Sequence, residues 1–389
     1  MPQPANLLCR SYCGQNHPTK EESSSPLQHD RGAKRPPIRQ IMDTSTLLFN
    51  IIYTPRTVAT LSPFVHSLLE WSDCKYRLIG NGCDRDEQKM LEDLAATDPH
   101  LSYMNLSEDE IYEHFDVLNM LQPECEDEWF CCIDSDILAK GEFQSLLESI
   151  ENNDAAISSC LPVWAIDSDK VLPTKFLRLQ GTHIDLENGL HIGCTYFMIY
   201  NNNAVNMIRK EYGVGFERCW WDTLPEEQRT IIQKLGADKT DYDTAIVLNL
   251  LLTHEGYNVR YIDLPNLIHI GGVSEQKASH TIQFTRGTYD NWSIKLRGTP
   301  FSGLIMMFAD LYYGKANIVE DLCWEEYINL ASRARRRRAA SIYFSFLLNR
   351  LLAGEQLPQL PHMANKHTEA NVKAAAAEVI TAYQKYIPN

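Results

Sequence analysis

Strand-like and helix-like segments alternate along the chain from Thr46 onward, and this alternation restricts the fold more than any other feature of the sequence. The segment "TLLFNIIYT" predicts a buried strand, "LSPFVHSLLEW" a helix and "KYRLIGNG" a second strand, and the alternation continues as far as Asp134. Strands joined through helices pair in parallel, so the pattern predicts an α/β protein, a mostly parallel sheet flanked by helices. Ligands of such open sheets bind beyond the carboxyl ends of the strands.

Composition and periodicity divide the chain into three regions. Residues 1–43 are rich in Pro, Ser, Lys and Gln and carry no sustained periodicity, which predicts a disordered tail. Residues 44–275 hold the alternating pattern and predict one α/β domain. Residues 276–389 are largely helical in pattern and predict a helical region after that domain.

The overall charge and the cysteines bear on partners and location. A formal net charge of −15 disfavours a nucleic-acid partner, because a phosphate backbone needs a basic surface. The eleven cysteines are odd in number and scattered, which is typical of reduced thiols in an intracellular protein. The amino terminus has no signal-peptide pattern, and no apolar run approaches ~20 residues. We therefore expect a cytoplasmic protein.

The segment "EDEWFCCIDSDILAKGEF" places two carboxylates directly after a buried strand. Asp134 and Asp136 flank Ser135, and strand alternation puts both carboxylates on one side. Such a pair is costly at the end of a strand unless a cation neutralises it, and hard oxygen ligands suit Mn²⁺ or Mg²⁺. An isolated Asp-x-Asp is equally typical of a solvated turn. The preceding apolar strand favours the metal interpretation.

Two further motifs carry groups that could serve chemistry. In "LIHIGG", His269 follows an apolar strand and could complete a metal site, although a lone histidine is more often structural. In "KTDYDTAIVLNLL", Asp241 and Asp243 precede an amphipathic helix. Asp243 is well placed to cap that helix, whereas Asp241 is less easily explained as a cap.

Taken in order, these motifs resemble those of the nucleotide-sugar-dependent glycosyltransferases of the GT-A fold. The most specific stretch, "TDYDTAIVLNLLLTHEGYNVRYIDLPNLIHIGG", is similar to the inverting, family-2-like pattern of an acidic motif, a helix, a Gly-Tyr, a strand and a His-Gly-Gly. The resemblance spans roughly Thr46 to Ser274. It implies a nucleotide-diphosphate sugar as donor, with a UDP-sugar expected, and an acceptor that the motifs do not identify.

The resemblance also implies roles for individual residues. Asp136 and His269 would hold Mn²⁺ or Mg²⁺, Asp134 would assist through ribose or water, and Ser135 would lie at the donor. The family's Glu-Asp pair appears here as Thr240-Asp241, so the catalytic base of an inverting transfer rests on Asp241 alone. The donor residues expected by position are Thr54, Pro55 and Arg56 at the nucleotide, Asn81 near the base, and His114 and Asn119 facing the diphosphate.

Two surface features have competing interpretations. Trp220, Trp221 and Asp222 lie where the resembled family shapes its acceptor site, and the tryptophans could stack on a sugar or pack in the core. The basic and apolar run 333–352 could rest on the inner face of an anionic membrane. A solvated basic helix packed on the acidic body is the alternative that we favour.

Three other classes of protein share parts of this pattern. A non-catalytic nucleotide-sugar-binding protein on a degenerate GT-A fold is kept open by the missing Glu before Asp241. A phosphatase of the haloacid-dehalogenase type also has an Asp-x-Asp after a strand, but its motif normally lies near the first strand of the domain. A nucleotidyltransferase would carry a Gly-rich loop after the first strand, where this chain has "YTPRTVATLSP".

Overall fold

The computed structural model describes residues 43–387, except residues 109, 152, 174–177, 180–182, 275–323, 361–362 and 364. The strands are β1 (Leu48–Tyr53), β2 (Lys75–Asn81), β3 (Leu101–Ser107), β4 (Trp129–Asp134), β5 (Ile137–Ala139), β6 (Asp154–Ser159), β7 (Val171–Leu172), β8 (Arg178–Leu179), β9 (Asp185–Leu186), β10 (Phe197–Asn201), β11 (Cys219–Trp220), β12 (Asp241–Tyr242), β13 (Asn258–Tyr261) and β14 (Leu267–His269). The helices are α1 (Val58–Trp71), α2 (Arg85–Ala95), α3 (His114–Leu121), α4 (Gln144–Leu147), α5 (Asn202–Tyr212), α6 (Glu226–Lys234), α7 (Ile246–His254), α8 (Trp324–Leu352) and α9 (Lys366–Tyr386).

The central sheet has seven strands in the order β13-β6-β10-β4-β1-β2-β3. Strand β10 runs antiparallel to both of its neighbours, β4 and β6, while the other paired strands run in parallel. The amino end of β10 therefore meets the carboxyl ends of the other six strands at one edge. The predicted α/β class, a mostly parallel sheet flanked by helices, is confirmed.

Two buried clusters of apolar side chains cover the two faces of this sheet. Strand β1 illustrates the division, since Phe49 and Ile51 belong to the cluster that includes α1, whereas Ile52 packs against the other cluster. Helices α8 and α9 add Phe344 and Val379 to the first cluster. The described helices beyond residue 275 thus share a core with the sheet, and they lie with it in one compact unit.

The segment "SEDEIYEHFDVLNMLQ" at the end of β3 has the pattern of a helix from Ser107 onward, but the helix begins later. Ser107 and Glu110 fit a capping box, and the Glu110 amide does donate to Ser107 Oγ (3.0 Å), yet α3 begins only at His114. The side chain of Asn81 accepts from the Tyr112 amide (3.0 Å) and donates to the Tyr112 carbonyl (2.9 Å). This pairing occupies the backbone groups that a helical turn would use.

Several sequence predictions concern residues outside this description. The disordered tail 1–43 lies outside the described residues except for Asp43, and so does the part of the predicted helical region 276–389 that precedes residue 324. The boundary predicted at residue 275 falls at the start of an undescribed range. Among the described helices, none has the length and apolarity needed to cross a membrane.

Candidate active site

The Asp-Ser-Asp segment lies at the carboxyl end of β4, in the middle of the sheet. The Asp134 amide donates to the carbonyl of Tyr196, which precedes β10 (2.8 Å). The chain then turns through Ser135 into the short strand β5. The Asp134 side chain is 31% exposed and that of Asp136 only 4%, so Asp134 is partly buried and Asp136 is buried. Val273 donates its amide to Asp136 Oδ2 (3.2 Å), which fixes that carboxylate.

His269 reaches the two carboxylates because β14 pairs antiparallel with β5 and sets His269 opposite Ile137. The His269 Nδ1 atom lies 2.8 Å from the carbonyl oxygen of Cys160, so Nδ1 carries a proton and donates to that carbonyl, and Nε2 faces the two carboxylates. Nε2 lies 3.1 Å from Asp136 Oδ1 and 3.5 Å from Asp134 Oδ2. Cys160 has a φ of +61°, a strained value for a non-glycine residue.

The charges of the three side chains are strongly coupled. Burial raises the pKa of Asp134 to about 7, and the charge of Asp136 raises it too, although His269 and Arg337 oppose the shift. Burial alone would lower the pKa of His269, but the two carboxylates outweigh it and the net shift is upward. Both shifts follow from two carboxylates held close together in a buried place.

The three residues fit a divalent cation. One ligand atom from each of Asp134, Asp136 and His269 lies within 4.8 Å of the other two. His269 Nε2 is buried and has no hydrogen-bond partner among the described residues. Carboxylate oxygens with one imidazole suit Mn²⁺ or Mg²⁺. The arrangement can therefore bind a cation and the phosphate oxygens of a ligand.

The glycines after His269 adopt left-handed conformations. Gly271 has a φ of +68° and Gly272 a φ of +85°. A Cβ atom on Gly271 would lie 2.7 Å from Cβ of Pro162 and 2.8 Å from Nε1 of Trp164. The chain can therefore turn here against Pro162 only if this residue lacks a side chain.

We expect Gly271→Ala to destabilise the protein more than a control glycine in an open position. Gly354 also has a left-handed φ, of +62°, but an added Cβ would meet nothing within 4 Å. Gly354→Ala should cost about 1 kcal/mol through backbone strain alone, and Gly271→Ala a further ~1–3 kcal/mol through overpacking. Urea unfolding of both variants measures the difference. Equal losses of unfolding free energy in the two variants would show that Pro162 and Trp164 move aside without destabilising the protein.

No protein-family model matches the chain, and neither does any curated protein. Solved structures do match. The mannosyltransferase PcManGT from Pyrobaculum calidifontis, in complex with GDP-Man and Mn²⁺, is 13% identical, with 91% of this chain and 86% of that chain covered and a TM-score of 0.36.

Two further matches cover less of this chain. A galactosyltransferase, LgtC, in complex with donor and acceptor sugar analogues, is 10% identical over 43% of this chain and 65% of that chain, with a TM-score of 0.29. A putative glucose-1-phosphate thymidylyltransferase from Bacillus anthracis, in complex with sucrose, is 11% identical over 59% and 93%, with a TM-score of 0.36. Glycosyltransferases are among the structures that this chain resembles. At such identities and TM-scores, any activity must be argued from the site itself.

The turn after β1 lies beside Asp134, as its place in the sheet requires. Ile52 of β1 is in register with Asp134 of β4. Thr57 donates its hydroxyl to the Thr54 carbonyl (2.6 Å) and accepts from the Thr54 amide (3.1 Å), which closes the turn around Pro55 and Arg56. Arg56 has a φ of +66°. Thr54, Pro55 and Arg56 thus share the carboxyl edge with Asp134.

The other predicted donor residues are placed less favourably. The side-chain amide of Asn81 is occupied by the Tyr112 backbone, as described above. Asn119 accepts from the Phe216 amide (2.9 Å) and from Arg209, and it donates to Glu217 (3.1 Å). This network accounts for Asn119 as a structural residue, so we do not assign it to the diphosphate.

Asp241 lies in β12, in register with Trp220 of β11. Its carboxylate is buried, and Oδ2 lies 3.3 Å from Nη2 of Arg218. The Arg218 guanidinium lies 5.3 Å from the centre of the Trp220 ring, and Trp220 is 50% exposed. A potential base, a cation and an exposed aromatic surface therefore adjoin one another. Trp221 is partly buried and Asp222 is exposed.

Asp243 does not cap the helix that follows it, which corrects the sequence interpretation. The N-cap of α7 is Ala245, with a φ of +64°, and Asp243 Oδ1 accepts from the adjacent Thr244 amide (2.9 Å). Burial raises the pKa of Tyr196, and the Asp243 charge raises it further. The Tyr196 ring lies 4.8 Å from that of His269. Asp243 is thus within electrostatic reach of the site.

His114 adjoins the same carboxylate. Burial lowers its pKa to about 4, and the nearby Asp243 opposes that shift. His114 is therefore neutral at physiological pH. A neutral imidazole at this position can hydrogen-bond a ligand but adds no positive charge for a diphosphate.

In the described part of the arginine run of helix α8, Arg336 is buried, whereas Arg333 and Arg337 are partly exposed. Arg336 is 8% exposed, with Nε donating to the Trp164 carbonyl (3.2 Å) and Nη2 to Asp169 Oδ2 (2.5 Å). Arg333 donates to Nε2 of His183 (2.8 Å). The favoured expectation is a solvated basic helix packed on the acidic body; α8 does pack on the body, but Arg336 is not solvated, because it forms a buried ion pair with Asp169.

Proposed function

We propose that the protein is a metal-dependent glycosyltransferase that moves a sugar from a nucleotide-diphosphate sugar, with a UDP-sugar as the expected donor. The observation that carries the proposal is the convergence of Asp134, Asp136 and His269 at the carboxyl edge of the sheet, with His269 Nε2 turned toward both carboxylates. Open α/β sheets bind ligands at this edge. Cations in such carboxylate sites commonly hold substrate phosphates.

The chain's own groups prepare the site for Mn²⁺ or Mg²⁺. The Cys160 carbonyl selects the His269 tautomer that offers Nε2, and the Val273 amide orients Asp136. When bound, the cation would stabilise negative charge on the leaving diphosphate as a Lewis acid. The turn at Thr54, Pro55 and Arg56 supports a nucleotide site because it adjoins Asp134 at the same edge.

The acceptor side is proposed from Asp241 and its surroundings. Asp241 would accept the proton of the attacking hydroxyl in an inverting transfer, and Trp220 would stack on the acceptor. Arg218 lies near both residues and could hold an acceptor polar group. Trp221 and Asp222, beside Trp220, remain assigned to the same surface. The cytoplasmic location and a contact of 333–352 with the inner membrane face remain predictions.

The test of the function is incubation with a panel of nucleotide sugars in the presence of Mn²⁺. Slow metal-dependent hydrolysis of one donor is the expected result. Donor binding without turnover would instead indicate the non-catalytic binding protein. Turnover of p-nitrophenyl phosphate would indicate a phosphatase, and formation of a nucleotide sugar from a sugar phosphate would indicate a nucleotidyltransferase.

We expect Trp220→Ala to weaken acceptor binding and leave the fold unchanged. Its half-exposed ring contributes little to the core, so the stability should change by less than about 0.5 kcal/mol. Loss of one aromatic contact should raise KM for the acceptor up to about 10-fold, while donor hydrolysis without acceptor stays normal. Trp71→Ala, 36% exposed at the end of α1, is the matched control. An equal effect of both variants on KM would contradict the assignment.

A further inference from the structure

We propose that Arg337, together with Arg333 one turn earlier in α8, binds the diphosphate of the donor. This inference rests on the proposed function and extends it to the helix that follows the undescribed range 275–323. The two guanidinium groups would hold the phosphate oxygens that face away from the cation.

The first observation is where Arg337 lies. A Cβ atom on Gly272 would be 3.5 Å from Nε of Arg337, so the guanidinium packs against the turn three residues after His269. The Arg337 guanidinium carbon also lies 5.9 Å from the centre of the Trp164 ring. These contacts place a cation of α8 beside the segment that carries the histidine. The charge of Arg337 accordingly acts on Asp134.

The second observation is that Arg333 faces the same region. Residues four apart lie on one face of a helix, so Arg333 and Arg337 present their charges together. Burial lowers the pKa of Arg333 and the like charge of Arg337 adds to that shift, while the charges of Asp169 and Asp243 oppose it. Both guanidinium groups act on the Tyr196 hydroxyl, whose ring contacts His269. Two guanidinium groups on one helix face near Tyr196 offer hydrogen-bond donors and charge to an anionic ligand.

Arg336 lies in the same helix but is buried. Its guanidinium is bound by Asp169 and by the Trp164 carbonyl, which gives it a structural role. Arg333 donates to an imidazole, that of His183, and not to a carboxylate in this contact. Burial, and next the charge of Arg333, lower the pKa of His183 to about 3, so the imidazole stays neutral and accepts from the guanidinium without cancelling its charge.

The chemistry of a guanidinium suits this ligand. Its planar fork of donors matches phosphate oxygens in pairs and keeps its charge at any working pH. A diphosphate held between the cation on Asp134 and Asp136 and the two arginines would be neutralised on both sides. The site would then recognise a diphosphate more strongly than a nucleoside alone.

The experiment measures binding by isothermal titration calorimetry of the full chain with Mn²⁺, using UDP, GDP and inorganic pyrophosphate as probes. Arg337→Gln should weaken the binding of whichever diphosphate the wild type binds by about 10–100-fold. Arg333→Gln should weaken it by a smaller factor, and Arg337→Lys should restore part of the loss. Arg350→Gln is the control, since it removes an exposed charge from the same helix that pairs with Glu355.

Each outcome decides one claim. Weaker binding by Arg337→Gln with unchanged binding by Arg350→Gln supports the inference. Equal binding by Arg337→Gln and wild type overturns it and leaves the proposed function standing. Failure of the wild type to bind any of the three probes with Mn²⁺ overturns the proposed function itself. If Arg337→Gln does not fold, judged by its thermal melt, Arg337→Lys and Arg333→Gln decide between the first two results in the same titration.

Discussion

Asp136→Asn is expected to reduce metal-dependent donor turnover by at least about 10²-fold while the fold stays intact. The amide loses the charge that a divalent cation needs, but its oxygen can still accept from the Val273 amide, so no buried donor is left without a partner. Removing one of two adjacent carboxylates also relieves repulsion with Asp134. Donor hydrolysis and the thermal midpoint of unfolding, measured on the same sample, check both halves of the prediction.

The controls separate loss of the metal from loss of charge in general. Asp93→Asn removes an exposed carboxylate that pairs with Lys89 and should leave turnover unchanged. EDTA should abolish wild-type turnover, and Mn²⁺ should raise the melting temperature of the wild type more than that of Asp136→Asn. Full activity of Asp136→Asn, or activity after complete metal removal, would show that the assignment of the metal site is wrong.

The second large effect is expected from Asp241→Asn. Asparagine cannot accept a proton, so transfer to an acceptor should fall by about 10²-fold or more, with donor and metal binding largely kept. Stability should change by less than about 1 kcal/mol, because the lost ion pair with Arg218 is partly exposed on the arginine side. Nuclear magnetic resonance of the product should show an anomeric configuration opposite to that of the donor.

Asp243→Asn is the matched comparison, because Asp243 lies two residues later and within electrostatic reach of Tyr196. If Asp241 is the base, Asp243→Asn should reduce transfer much less than Asp241→Asn does. A larger loss from Asp243→Asn would move the role of base to Asp243. Normal transfer by both variants, or retained configuration in the product, would exclude an inverting mechanism that uses this motif.

The parts of the site that follow from local pattern were predictable. An apolar run that ends abruptly in two carboxylates must form a buried strand with a polar end, and β4 does so at Asp134. The apolar strand before Gly271-Gly272 likewise indicated His269 as a possible metal ligand, and β14 ends at that residue. These predictions needed only hydrophobic periodicity and the rule that ligands bind at the carboxyl edge.

The parts that depend on distant contacts were not predictable. Asn119 has the pattern of a polar helix face. Only the fold shows that its side chain accepts a hydrogen bond from the amide of Phe216, which lies 97 residues later. Arg336 has the pattern of a solvated charge because its partner Asp169 lies 167 residues earlier. Asp243 has the pattern of a cap, and the left-handed Ala245 that displaces it has no sequence signature.

The pairing of β14 with β5 makes the site the last part of the α/β region to be completed. Val273 lies 137 residues after Asp136, whose carboxylate it orients, so both carboxylates leave the ribosome long before the groups that complete their surroundings. Until β14 has been synthesised, His269 is not present to lie beside them. Cation binding therefore joins an early and a late segment of the nascent chain, and metal affinity should report whether the α/β region has finished folding.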